Sequence, residues 1–336
     1  MRKTDRLATI RDVAALAGVS VGTASKALND RGSLRAETRR RVQEAAERLG
    51  FQANAAARTL NTGRTYTVGM ITTDSIGRFS IPLMLGAEDA LGAGQMSVLL
   101  CDARDDPIRE QYYLRALLTR RVDGIIVTGR RAQARAPLAV DLPVPVVYAF
   151  VSSTDPADCS VVPDEAGGAV KAVEHLRATG RRRIAHVTGP DHHTSARVRA
   201  EAAGPGLVRP PLFGEWSEAW GRQAAGMLLA EKTDFDAVFA GSDQIARGVV
   251  DTLRAAGRRV PEDVAVIGFD NWDVMVSASQ PPLSSVDMDL DGLGRTAANL
   301  LLAAINGEPA PGRHVRPCRL VLRESTAVGV GGGDRV

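Results

Sequence analysis

Cysteine is scarce in this sequence. Cys101, Cys159 and Cys318 are the only three in 336 residues, odd in number and far apart. That pattern excludes a disulfide framework and the paired spacing of a zinc knuckle. It fits the cytoplasm, the compartment expected here. No run of about 18 apolar residues occurs, which argues against a membrane-spanning helix. Met1-Arg2-Lys3-Thr4-Asp5-Arg6 has no apolar stretch behind it, so the start does not read as a secretory signal. What is present is the composition of a folded protein, 44% hydrophobic and 24% charged. The length allows two or three domains.

The net charge of +3 is unevenly distributed. Residues 1–64 hold 13 Lys and Arg against 6 Asp and Glu, whereas the remainder holds 29 against 33. A basic N-terminal module is thus joined to a mildly acidic body. The asymmetry points to a polyanion partner for the module and a separate task for the body.

Ile10, Val13, Ala14 and Ala17 recur at helical spacing behind Thr9, a candidate N-cap. Gly18-Val19 breaks this helix. Ser20 then caps a second one, with Ala24, Ala27 and Leu28 facing inward. A third is expected from about Glu37 to Leu49, with Val42, Ala45, Ala46 and Leu49 on its apolar stripe and Gly50 as its stop. A helix, a tight turn and a second helix make a helix-turn-helix, whose second helix lies in the DNA major groove. Its outward positions are Val21, Gly22, Ser25, Lys26 and Asn29.

The body has another rhythm. Apolar runs predict strands at 66–73, 96–101, 124–128, 144–149, 184–188, 207–213, 236–240, 264–269 and 319–323. Helices are expected between the first three strands and near 166–178, 217–231, 243–257 and 290–306. Such alternation predicts parallel, doubly wound sheets, and two such sets predict two lobes with a cleft between them. The fold class is therefore α/β, with an all-α headpiece. The expected divisions are a headpiece over 1–52, a hinge helix and linker over 53–64, and a core over 65–328. One lobe takes about 65–160 and 290–318, the other about 161–289 and 319–328. A disordered tail is expected over 329–336.

The segment from Thr9 to Asn29 (TIRDVAALAGVSVGTASKALN) resembles the N-terminal signature of the lactose/galactose-repressor, or LacI, family. The resemblance continues through Glu37-Thr-Arg-Arg-Arg-Val and Leu49-Gly-Phe-Gln-Ala-Asn-Ala-Ala-Ala-Arg-Thr-Leu60. It resumes at Arg121-Val-Asp-Gly-Ile-Ile, Asp164-Glu-Ala-Gly167, Ser195-Ala-Arg-Val-Arg199, Val260–Asp270, Pro281-Pro-Leu and Leu322-Arg-Glu-Ser-Thr326. It implies a helix-turn-helix headpiece, a hinge helix and a dimerising core like a periplasmic binding protein.

By position, the resemblance assigns DNA contact to Thr9, Ser20, Val21, Gly22, Thr23, Ser25, Lys26, Asn29, Asn54, Arg58 and Leu60. Leu60 matches a leucine that wedges into the minor groove. It assigns effector contact to Asp74, Phe79, Arg199, Trp216, Ser242 and Asp270. Asp270 would accept from ligand hydroxyls, Arg199 would donate to the same ligand, and Trp216 would stack on a sugar face.

The implied function is a dimeric transcriptional regulator, most simply a repressor, whose affinity for a palindromic operator is modulated by a sugar-like effector. Three departures imply a modified cleft. About ten residues are missing between Arg199 and Trp216, where Gly204-Pro205-Gly206 would end a helix early. Phe150 stands where Asp is common. Arg78 and Ser80 flank Phe79 in place of the usual Pro and aromatic. The rival readings are a regulator that ignores small molecules or answers to a protein partner, and a plain carbohydrate-binding protein. No cofactor, metal site or catalytic residue is expected. His192-His193 reads as a solvated pair, and no acid and base are paired in the cleft as an enzyme would need.

Overall fold

The computed structural model describes residues 8–28, 33–51, 64–92, 96–139 and 141–326. Asn29, Asn54, Arg58 and Leu60, most of the expected hinge and the expected tail lie outside them. The chain divides between Thr65 and Tyr66 into two compact units.

The smaller unit holds α1 (Ile10–Ala17), α2 (Val21–Leu28) and α3 (Ala36–Arg48). Its core is Val13, Ala14, Ala17, Ala24, Ala27, Val42, Ala45 and Ala46. Alanine dominates, so the helices meet with little side-chain bulk between them. Gly18 ends α1 at φ +62°, a left-handed conformation that costs glycine little. Arg41 of α3 donates Nη2 to the Ala17 carbonyl at 2.7 Å. A cation thereby satisfies an orphan carbonyl at the negative end of α1. Leu49 departs from expectation. It lies past the last turn of α3 and is 37% exposed, while Phe51 packs against the core instead.

The larger unit opens with β1 (Thr67–Thr72), α4 (Ser80–Ala90), β2 (Ser97–Asp102), α5 (Pro107–Thr119), β3 (Gly124–Val127), β4 (Ala134–Arg135), β5 (Val146–Ala149), β6 (Ser152–Ser153) and β7 (Cys159–Pro163). It continues through α6 (Glu165–Ala178), β8 (Ile184–Thr188), α7 (Thr194–Ala203), β9 (Leu212–Phe213), α8 (Glu218–Ala230), β10 (Ala237–Ala240), α9 (Asp243–Ala255), β11 (Ala265–Phe269), α10 (Asp273–Val276) and β12 (Ser284–Asp287). It closes with α11 (Leu290–Ile305), β13 (Gly312–Arg316) and β14 (Arg319–Val321).

Two six-stranded sheets result, ordered β13-β7-β5-β3-β1-β2 and β14-β12-β11-β10-β8-β9. Every pairing in them is parallel except β12 with β14. The strands β3, β10 and β11 are buried at every residue, which is why they read as unbroken apolar runs. β12 (SSVD) and β13 (GRHVR) lack such runs and were not expected. The expected lobe boundary at 160/161 falls inside β7, which lies wholly in the first sheet. The chain therefore leaves that sheet only after Pro163. The expected strand at 207–213 shrinks to β9 and a single bridge from Leu207 to Ile184, in a stretch where Pro205, Pro210 and Pro211 lack the N–H a ladder needs.

One helix pair in each lobe closes on facing glycines. A Cβ on Gly86 would meet the Asp291 carbonyl at 1.9 Å, and one on Gly294 the Leu83 carbonyl at 1.9 Å. In the second lobe Gly221 and Gly248 stand likewise against Ile245 and Glu218 backbone. These contacts seat α4 on α11 and α8 on α9. Loops carrying site residues, before α4 and at the start of α9, are positioned by them.

Candidate functional site

On the smaller unit, Thr9 donates both N–H and Oγ1 to Asp12 Oδ2, at 2.8 and 2.7 Å. Its hydroxyl proton is thus engaged within the helix start. Ser20 Oγ accepts from Thr23 N–H at 3.1 Å, the bond of an N-cap, and lies 2.9 Å from Thr23 Oγ1. Behind this cap α2 buries Ala24 and Ala27 and exposes Val21 (44%), Gly22 and Lys26. Thr23 and Ser25 are half-buried. Of the expected outward positions, Val21, Gly22 and Lys26 therefore stand clear of the unit's own core, and Ser25 is partly covered.

In the larger unit the carboxyl ends of the two sheets face a cavity of about 410 Å³. Phe150 follows β5 and Asp270 follows β11, at corresponding ends of the two sheets. Both hold positive φ, +70° and +103°. Such backbone is costly for a residue with a Cβ, on the order of 1–3 kcal/mol. Ladder bonds from Phe150 N to Val161 O (2.9 Å) and from Asp270 N to Val286 O (2.8 Å) hold it there.

Arg199 projects from α7 and is fully enclosed. Its Nε and Nη2 donate to Glu165 Oε1 at 3.1 and 2.5 Å, and its Nη1 donates to the Gly241 carbonyl at 2.5 Å. Phe269 lies flat beneath the guanidinium, 3.6 Å from its carbon to the ring centre. Asp270 Oδ1 is at 3.5 Å. Burial works against this charge, but Glu165 and Asp270 outweigh it, and the arginine's pKa lies above its ordinary value. No local pattern in the sequence marks Glu165, the first residue of α6, as a site residue. It stands inside the quoted Asp164-Glu-Ala-Gly167 motif, next to the capping Asp164, and only the fold brings it under Arg199.

Asp270 is held from the other lobe. Arg78 donates Nη2 to Asp270 Oδ2 and Nη1 to Gln244 Oε1, the latter at 3.1 Å. The Arg78 guanidinium also lies between Trp272 and Phe79, at 4.4 and 4.9 Å from the ring centres. Phe79 stacks on Phe150 with centroids 4.8 Å apart and 18° between planes. The Phe150 departure therefore builds an apolar wall where a carboxylate is common. Trp216 covers Gly189, leaving no room for a Cβ there, and donates Nε1 to His193 Nδ1 at 2.7 Å. His193 is thus a cleft residue, not the solvated partner of His192 that its sequence context implied. Nδ1 must be unprotonated to accept this bond, and burial, Arg131, His192 and Arg130 lower the His193 pKa accordingly.

Two of the expected effector contacts are also structural. Asp74 Oδ2 accepts from Phe79 N, Ser80 N and Ser80 Oγ, tying down the start of α4. Ser242 Oγ accepts from Ile245 N at 3.3 Å as the N-cap of α9. Both still line the cavity, so Asp74, Phe79, Arg199, Trp216, Ser242 and Asp270 all meet there. Arg78, His193, Gln244 and Trp272 join them. Among the described residues no three His, Cys, Asp or Glu side chains are grouped to hold a metal ion, and no helix is long and apolar enough to cross a membrane.

Residues 9–54 match the family described as bacterial regulatory proteins, lacI family, and residues 173–326 match the periplasmic binding protein-like domain. The HTH-type transcriptional regulator CelR of Thermobifida fusca is 34% identical over 95% of this chain and 98% of its own length. The chain belongs to the LacI family. As a LacI-family protein it is a DNA-binding transcriptional regulator, with α1–α3 as the family's helix-turn-helix and the two-lobed unit as its periplasmic-binding-protein-like core. A structure of the CelR–cellobiose complex matches with a TM-score of 0.64 at 31% identity, covering 95% of this chain and 99% of that one. The lac repressor dimer bound to operator and the anti-inducer ONPF matches with a TM-score of 0.74 at 27% identity, covering 96% and 99%. The LacI-family likeness thus spans both units of the chain.

Proposed function

We propose that this LacI-family chain is a dimeric repressor of a two-fold operator, and that a carbohydrate held between its lobes lowers operator affinity. The observation that carries this reading is the meeting of Asp270, Arg199 and Trp216 in one inter-lobe cavity. An acceptor, a buried cation and an aromatic face suit a polyol. Relatives known as a CelR–cellobiose complex and as a lac repressor dimer on its operator support both halves of it.

In this reading α2 lies in the major groove. Ser25 and Lys26 face base edges and phosphates, Val21 and Gly22 allow close approach, and Thr9, Ser20 and Thr23 position the helix start. Asn29, Asn54, Arg58 and Leu60 complete the DNA surface. Regulation is linkage: effector and operator each favour a different lobe arrangement, so each weakens the other. The role is non-catalytic, since the cleft's buried carboxylates are tied to an arginine or to a helix start.

Selecting bound duplexes from a random pool and then titrating carbohydrates against the winner tests this. A palindromic site and its release by a carbohydrate are expected. Asymmetric sites, or a chain that stays monomeric in light scattering at micromolar concentration, overturn it. A second reading, a regulator that ignores small molecules, is favoured by the Arg78–Asp270 pair. Operator occupancy unmoved by any carbohydrate would establish it.

A further inference from the structure

The cleft's acceptor is already occupied by the protein's own cation. Arg78, on the loop between β1 and α4, reaches across to Asp270 at the end of β11, with side chains 13% and 6% exposed. Arg78 Nε is buried with no partner among the described residues. A neutral polyol that takes Asp270 must leave this cation, held between two aromatic faces, without its carboxylate. Stranding a buried charge cancels the gain from new hydroxyl bonds.

The neighbouring wall of the same cavity adds a second observation. Arg130 and Arg131 both line it. Arg130 is paired with Asp105 at 2.9 Å, whereas Arg131 has no carboxylate within ion-pair distance among the described residues. His193 lines the same wall, bonded to Trp216; its pKa is lowered by burial and then by Arg131, His192 and Arg130, with Glu215 acting against them. Glu215 also lines the cavity, but no ion pair among the described residues neutralises Arg131, so that wall keeps one positive charge without a carboxylate partner.

We propose that the effector is an anionic carbohydrate, a polyol carrying a carboxylate or phosphate group. The anion replaces Asp270 as the partner of Arg78 and also neutralises Arg131. Asp270, released, accepts the ligand's hydroxyls, and Trp216 and Phe79 cover its apolar faces. Partners are exchanged and no buried charge is stranded. Arg78 thereby becomes the residue that selects charged over neutral ligands. The proposal rests on the reading of the cleft as a carbohydrate site and deepens it.

The test uses matched sets of probes on the full chain: glucose, galactose and ribose, each as the neutral sugar, the aldonate or uronate, and the terminal phosphate. Binding is read by calorimetry, with operator release as a second readout. In the wild type, one charged class binds at least about tenfold tighter than its neutral parent. The aldonate, uronate and phosphate arms identify which anion is used. Arg131→Gln removes most of that margin. Arg78→Gln inverts it, because the anion loses its partner while Asp270 becomes free for neutral sugars; a merely structural role for Arg78 would weaken both classes together. Neutral sugars that bind as tightly as their charged forms and release the operator would overturn this inference while leaving the carbohydrate reading intact. No binding by either class would overturn both.

Discussion

Arg78 and Asp270, 192 residues apart, form an ion pair that bridges the two lobes across the cleft between them. Each comes from the carboxyl end of a different parallel sheet, so the pair ties the relative position of the lobes to the charge state of the cavity. Arg199 approaches the same aspartate from beneath at 3.5 Å. Removing either member of the bridge leaves the other buried, with only partial compensation. A double-mutant cycle with Arg78→Gln and Asp270→Asn is expected to give a coupling energy of about 1–3 kcal/mol in urea unfolding. Additive effects would mean that the two side chains do not interact in solution.

The facing glycines between α4 and α11 leave no space for a methyl group. Gly86→Ala would drive its Cβ to 1.9 Å from the Asp291 carbonyl oxygen, backbone that cannot rotate away. The helices must separate, at a cost of about 1–3 kcal/mol or more. Gly226, within α8, meets nothing within 4 Å. Gly226→Ala is therefore expected to stabilise by about 0.5–1 kcal/mol through lower unfolded-state entropy and better helix propensity. Thermal melting of the two variants should shift in opposite directions. A Gly86→Ala midpoint at or above the wild type would refute the close packing.

Asp243 lies beneath the cleft, accepting from Ser285 Oγ at 2.6 Å and Trp272 N at 2.7 Å. Burial and then the nearby Asp270 push its pKa from 3.8 up to about 8. Within that window the folded chain keeps a proton that the unfolded chain releases. Its contribution is fully present below the lower value and is lost as pH rises through the upper one. His186, wholly buried, acts in the opposite sense. Burial lowers it from 6.5 to about 4, so its contribution is present above 6.5 and lost as pH falls through 4. Of these two groups, only Asp243 titrates in the folded chain between pH 6.5 and 8. The urea midpoint is expected to fall across that interval in the wild type and to fall less in Asp243→Asn. Parallel slopes would place Asp243 among ordinary carboxylates.

Lys26 is exposed and is the one cation within α2. A point charge contributes mainly through counterion release, without base discrimination. Lys26→Ala is expected to weaken binding to all DNA sequences to a similar degree and to reduce the salt slope by about 1. Anisotropy titrations against the selected operator and a scrambled duplex, at several salt concentrations, measure both. A loss confined to the operator would assign base readout to Lys26.

Local chemistry made much of this molecule readable. α1 and α2 could be read because Thr9, Gly18 and Ser20 punctuate helices within a few residues of the bonds they make. β1, β3, β8, β10 and β11 could be read because strands covered on both faces need mostly apolar side chains. Strands β12 and β13 could not, since SSVD and GRHVR carry no such run and acquire their place only by pairing with β11 and β7. Leu49 fitted the helical spacing but fell one residue past the end of α3, where Phe51 takes over the packing.

The cleft divides in the same way. The strand-end position of Asp270 and the candidates Arg199 and Trp216 were legible, because strand ends in doubly wound sheets face the crevice and the motifs mark them. Which partners those side chains take was decided only in three dimensions. Glu165 under Arg199, His193 on Trp216 and Arg78 on Asp270 join segments 34, 23 and 192 residues apart. No periodicity or cap links such positions. Their contacts follow from how two sheets, seated by glycine-close helix pairs, bring their carboxyl ends together, and from the energetic demand that each charge enclosed there find a partner.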